Sequence, residues 1–217
     1  LRIYRAKENQ ERTAANNDVN LVREFERQPG AVHAVAFSPD GVHLASGSDI
    51  GKIRIWEVLP SGEEKILHNG HWEETAEDST ETRGFFIEDD GGFQKPMEYW
   101  IGAMVFTPDA KMLITGSRDN TIRFFEMPTM NELRVVRGHN GWVRSLVVSP
   151  DGKVLISAGD DNTIRFWDIA TGRNFRTDKT HGGAVRGIAL SPDGLRLASA
   201  SWDRTLKLWE GGVEPAE

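Results

Sequence analysis

Cysteine is absent from the 217 residues, which excludes disulfides, thiolate metal sites and cysteine nucleophiles. No run of about 18 apolar residues occurs, the length that a membrane-crossing helix needs, so no membrane partner is expected. Basic residues are outnumbered, 26 Lys and Arg against 33 Asp and Glu, for a formal charge of −7. A protein that tracks nucleic-acid phosphates carries the opposite balance, and nucleic acid is not an expected partner. Phosphate-loop, His-Glu-x-x-His and Gly-x-Ser-x-Gly signatures are missing as well. What the chain does have is 38% hydrophobic residues, enough for a packed core and too many for global disorder. Its 22 Gly and 7 Trp, with few long apolar runs, suggest an all-β chain with many turns. The lack of cysteine fits a reducing compartment, and a cytoplasmic location is expected.

The chain repeats itself. Ser-Pro-Asp-Gly occurs at Ser38 to Gly41, Ser149 to Gly152 and Ser191 to Gly194, with a degraded copy, Thr-Pro-Asp-Ala, at Thr107 to Ala110. Successive starts lie 69, 42 and 42 residues apart. An aromatic residue followed by an acid forms a second marker: Trp56-Glu57, Phe125-Glu126, Trp167-Asp168 and Trp209-Glu210. Its spacings are the same 69, 42 and 42. Two independent markers with one period define a true repeat, one copy of which carries an insertion.

Each copy has the same internal order. The alternating run Val143 to Val148 reads as a strand. Ser-Pro-Asp-Gly then makes a tight turn, because Pro presets φ, Asp caps locally and Gly accepts positive φ. Val154 to Ser157 is a second strand, Asp161-Asn162 turns the chain, and Thr163 to Trp167 is a third. After Ala170-Thr171-Gly172 a final polar strand leads to the next copy. Four short strands in about 42 residues correspond to one blade of a propeller.

These residues resemble the WD-repeat β-propeller family, over nearly the whole chain outside the insertion. The third repeat has Gly138-His139 at its start and Trp167-Asp168 at its end, and the fourth has His181 and Trp209-Glu210. The resemblance implies an all-β fold, a β-propeller of four-stranded antiparallel blades, about four of them here, forming a partial or half ring. It also assigns His139, Ser157, Asp161 and Trp167, and again His181, Ser199, Asp203 and Trp209, to hydrogen-bonded tetrads that tie each blade together. A Ser-His-Asp hydrolase would carry one such set, not one per repeat, so these residues read as structural and no catalytic residue is expected. The earlier repeats depart from the pattern. In one, Gln28 and Ile50 replace His and Asp, leaving Ser46 and Trp56. In the next, Thr115 and Asp119 remain, Phe125 has no N–H to donate, and His71 is the candidate histidine.

Phasing of the ends divides the chain into residues 1–27, the outer strands of a preceding or closing blade, and residues 28–217, the repeats themselves. Propellers of this family typically have seven or eight blades, which takes about 300 residues at this period. Two arrangements follow: the chain is part of a longer polypeptide, or two copies join head to tail as a homodimer that completes an eight-bladed ring. Residues 72–97 form the insertion, whose Glu and Asp residues outnumber Arg83 and Lys95 to give −6 of the net charge. A solvated acidic loop is the ordinary reading of such a segment, and a lid over a binding face is the functional one. Its Asp89-Asp90-Gly91-Gly92 lacks the alternating ligands of a calcium loop, so no metal site and no cofactor are expected.

Aligning the repeats places one set of side chains around one face of the ring. The innermost strands contribute Ala31 and His33, Trp100 and Gly102, Trp142 and Arg144, Ala184 and Arg186. The turns contribute Asp49, Arg118, Asp160 and Trp202. Three Trp and three Arg among them make the composition of a protein-binding hot spot, with Arg suited to carboxylates. Packing of Trp100 and Trp142 between blades is the competing reading. The expected function is therefore a non-catalytic scaffold binding a protein or peptide, an acidic one included. The alternatives are a sensor or regulatory segment of a larger signalling protein and, less favoured, a propeller hydrolase using a channel calcium, for which this rim has few carboxylates.

Overall fold

The computed structural model describes residues 2–5, 20–25, 30–58, 66–69 and 100–211, and every regular element among them is a strand. Gln28, His71 and the insertion 72–97 lie outside the described residues. A two-stranded sheet comes first, of β1 (Arg2–Arg5) and β2 (Asn20–Glu24). Four antiparallel meanders follow. The first blade holds β3 (Val32–Phe37), β4 (His43–Ser48), β5 (Ile53–Glu57) and β6 (Ile66–Asn69). The second holds β7 (Ile101–Phe106), β8 (Met112–Ser117), β9 (Thr121–Glu126) and β10 (Glu132–Arg137). The third holds β11 (Val143–Val148), β12 (Val154–Gly159), β13 (Ile164–Asp168) and β14 (Asn174–Asp178). The fourth has three strands, β15 (Val185–Leu190), β16 (Arg196–Ser201) and β17 (Leu206–Glu210). The first strands of successive blades touch one another, β3 with β7, β7 with β11 and β11 with β15. The result is a partial propeller of about four blades whose sheets do not close. β2 pairs with β1, and β17 has no fourth strand beside it among the described residues.

The turn between the first two strands of each blade works as its sequence suggests, with one addition. Ser149 donates to Asp151, while the amides of Val154 and Lys153 donate to Ser149 Oγ and Asp151 Oδ1. The same bonds recur at Ser38, Thr107 and Ser191. Gly41, Gly152 and Gly194 take φ of 72 to 74°, a region that costs a side chain energy. The degraded copy keeps the turn but places Ala110 at φ 59°. Hydrogen bonding to the Ser or Thr hydroxyl holds the Asp40, Asp109, Asp151 and Asp193 carboxyls below the usual carboxylate range. Ser-Pro-Asp-Gly is thus a structural device in every copy.

The core lies between blades. Ala45, Ile53 and Ile55 of the first blade pack with Ile101, Phe106 and Leu113 of the second. Ile114, Ile122 and Phe124 of the second pack with Val143, Leu155 and Trp167 of the third. Ile156, Ile164 and Phe166 of the third pack with Val185, Ile188 and Leu197 of the fourth. Both faces of each interior sheet are therefore buried, which is why the central strands read as nearly continuous apolar runs. The Arg134 guanidinium adds a polar clasp, donating at 2.8 Å to the carbonyls of Ile169 and Ala170 on the next blade.

Candidate functional site

Within the third blade, Trp167 can only donate, and its Nε1–H does so to Ser157 Oγ at 2.8 Å. Ser157 is left to donate its own hydrogen to His139 Nε2, 2.7 Å away. Asp161 accepts from His139 Nδ1 at 2.9 Å, from the Asn140 amide at 2.9 Å and from the Thr163 hydroxyl at 2.8 Å. The fourth blade repeats the set: Trp209 to Ser199 at 3.0 Å, Ser199 with His181 Nε2 at 2.7 Å, and His181 Nδ1 to Asp203 at 2.8 Å. The distances are those of a Ser-His-Asp catalytic triad. The surroundings are not, because Ser157 is 0% and Ser199 1% exposed, and each hydroxyl already accepts from an indole. A substrate carbonyl has no route to either oxygen.

These bonds explain neighbouring residue choices. A Cβ at Gly138 would lie 2.9 Å from the Trp167 ring, which accounts for glycine before His139. Burial opposes the charged form of Asp161, but His139, the Asn140 amide and the Thr163 hydroxyl outweigh it and hold the carboxyl well below the usual range. At Asp203 the Thr205 hydroxyl, with His181 and the amides of Thr205 and Gly182, does the same. The threonine two residues after each aspartate, Thr121, Thr163 or Thr205, is thus a fifth member of the group. Sequence reading passed over it, although Asp-x-Thr recurs in register.

The earlier blades keep fragments. Trp56 donates to Ser46 at 3.1 Å. In the second blade Asp119 accepts instead from Thr121 and from Arg123, which also pairs with Glu132 at 2.9 Å. Thr115 Oγ1 is buried without a hydrogen-bond partner among the described residues. Removing an orphaned hydroxyl while keeping its shape relieves a desolvation cost. Thr115→Val should therefore stabilise the protein by about 1 kcal/mol, whereas Ser157→Ala, which strands His139 and Trp167, should destabilise it. Thermal melts of the two variants check this, and a lowered melting temperature for Thr115→Val would contradict it.

On the inner edge of the blades, the rim is built by a feature the sequence did not reveal. Every first strand has a register shift at the same point: between Val32 and Ala34, Ile101 and Ala103, Val143 and Ser145, Val185 and Gly187. His33, Gly102, Arg144 and Arg186 are the extra residues of these bulges, a placement that re-aims a side chain. In every blade the turn residue is tied back by its amide: Asp49 to the Ala31 carbonyl, Arg118 to Trp100, Asp160 to Trp142 and Trp202 to Ala184.

Side chains from all four blades then meet in one chain of contacts. The His33 and Trp100 rings lie 4.1 Å apart, and Trp100 and Trp142 5.3 Å apart. The Arg118 and Arg144 guanidinium groups stack on Trp142 at 3.6 and 3.8 Å. Arg144 grips Asp160 with two bonds, Nε to Oδ1 at 3.0 Å and Nη2 to Oδ2 at 2.7 Å. Arg186 Nε lies 3.6 Å from the same carboxylate, and its guanidinium stacks at 3.6 Å on Trp202, which is 70% exposed. Among the charged and aromatic side chains assigned to the rim, Asp49 stands outside this chain, because its carboxylate caps the Ala31 amide at 2.9 Å. Trp100 and Trp142 both pack between blades.

A radial set of meanders, the third and fourth closed by an internal hydrogen-bond network, presenting loops and bulges at one inner rim, defines a propeller-type repeat protein. The WD domain, G-beta repeat (WD40), matches residues 19–57, 96–126, 130–168 and 172–210. The chain belongs to the WD40 repeat family, whose members are generally protein-interaction scaffolds and typically lack catalysis.

Proposed function

We propose that this protein is a non-catalytic scaffold that binds a protein or peptide through the rim running from His33 to Trp202, selecting partners with acidic groups. The observation that carries this is the linked cluster of Trp142, Arg144, Asp160, Arg186 and Trp202, whose members hold one another in place. Side chains already ordered by stacking and bidentate bonding lose little freedom on binding, and Trp and Arg dominate binding energy at interfaces. Arg118, Arg144 and Arg186 against Asp49 and Asp160 leave the rim positive on a chain that is acidic overall, so an acidic partner is steered to it. Inaccessibility of Ser157 and Ser199 supports the absence of hydrolysis at the tetrads.

Binding of a fluorescent glutamate-rich peptide to the intact chain and to an Arg118→Ala, Arg144→Ala, Arg186→Ala variant tests the reading. The substitutions should weaken binding more than about tenfold, with the difference shrinking at high salt. Equal affinity of the two proteins would overturn it.

A further inference from the structure

The three rim arginines are not equally engaged. Arg144, from the bulge of β11, closes two bonds on Asp160, Nε to Oδ1 at 3.0 Å and Nη2 to Oδ2 at 2.7 Å. Each carboxylate oxygen thus has a charge-assisted donor, in the paired geometry that fixes both side chains. The Asp160 backbone is fixed as well, its amide donating to the Trp142 carbonyl at 2.9 Å. Arg118 lies over the Trp142 ring at 3.6 Å. Arg186 occupies the bulge of the next blade, and its Nε stays 3.6 Å from Asp160 Oδ1, too far for a hydrogen bond. Among the described residues its guanidinium makes no hydrogen bond, and Nε is buried without a partner. Stacking on Trp202 at 3.6 Å occupies the flat face of the guanidinium and not its N–H edge. The five N–H groups on that edge remain to be satisfied.

A partly buried guanidinium with unsatisfied donors favours a ligand that replaces the water it has lost. A carboxylate does so with two parallel bonds. We propose that Arg186 takes the acidic group of the partner, a single Asp or Glu carboxylate, and that Arg144 is a positioning residue that keeps Asp160 out of that place. The division of labour rests on the rim being the binding face. A released Asp160 would pair with Arg186 itself and close the site, since the two are already within ion-pair distance. Arg144 prevents this by holding both oxygens of Asp160. The fixed negative charge of Asp160 also selects the charge of the ligand. A carboxylate brings one negative charge to Arg186, whereas a phosphate monoester brings about two and is repelled more strongly by Asp160. An acidic side chain is therefore preferred to a phosphorylated one.

Titrations of the intact chain with the fluorescent glutamate-rich peptide separate these tasks. Arg144, Asp160 and Arg186 are all partly exposed, so substitutions there should leave the fold intact, as thermal melts would verify. Arg186→Ala alone should weaken binding more than about tenfold. Arg186→Lys, which keeps the charge and loses the fork, should weaken it several-fold. Arg144→Ala should also weaken binding, because Asp160 then turns to Arg186. With Asp160→Asn already in place, Arg144→Ala should make no difference. An equal loss in both backgrounds would show Arg144 itself contacting the partner and would overturn the proposal. A peptide with phosphoserine in place of glutamate should bind the native chain no more tightly, and tighter binding would overturn the choice of a carboxylate. If Arg186→Ala binds as well as the native chain while the triple arginine variant is weakened, this assignment fails and the rim remains the binding face. A triple variant that binds as well as the native chain overturns both.

Discussion

Replacing Trp167 by alanine should cost about 4 kcal/mol, the range for emptying an aromatic site in a packed core. The side chain is 2% exposed and packs in the junction between the second and third blades. Its removal also takes from the fully buried Ser157 hydroxyl its indole donor. Trp167→Phe separates the two contributions, because it keeps most of the packing and deletes only the N–H donor. Its cost should be about 1 kcal/mol, and the variant would resemble the second blade, where Phe125 occupies this position naturally. Chemical denaturation of both variants gives the comparison. A Phe variant as unstable as the Ala variant would mean that the hydrogen bond, not the packing, dominates.

Asp161→Ala is expected to destabilise by about 3 kcal/mol, since a charged acceptor of several hydrogen bonds is lost together. His139 Nδ1 and the Asn140 amide would both lose their acceptor. The same substitution should change the acid response. In the folded protein the Asp161 carboxyl is a stronger acid than usual, so its contribution is fully present above the unfolded-state value of about 3.9. It is lost as pH falls below that value, because protonation then favours the unfolded chain. Melting temperatures of the native protein should therefore fall steeply in acid, and those of the variant less so. Parallel curves for the two would show that this carboxyl does not govern acid stability.

Much of this architecture was legible because a repeated sequence reports its own alignment. The in-register recurrence of Ser-Pro-Asp-Gly and of the aromatic-acid pair marked the blades, and the family resemblance it carries implied the pairing of His139, Ser157, Asp161 and Trp167. The rim was legible for the same reason, since equivalent positions must fall on equivalent faces. The bulge was not, because an extra residue in a strand leaves no mark on a sequence in which every copy contains it. Nor was the role of Asp49. It occupies the same turn position as Asp160, but the bulge residue of its own blade is His33 and not an arginine. With no guanidinium there to grip, its carboxylate turns to the Ala31 amide.

Short-range chemistry, then, was determined by the sequence alone: which segments are strands, where the turns fall, and which polar residues can satisfy one another within a blade. These depend on residues separated by a fixed, short distance along the chain, so their pattern survives in one dimension. Tertiary structure decided what depends on neighbouring blades. It set the orphaned hydroxyl of Thr115, the stacking of Arg118 on Trp142, and the sharing of Asp160 between Arg144 and Arg186. Burial and contact between blades are properties of what lies alongside, and a residue carries no record of that in its own identity.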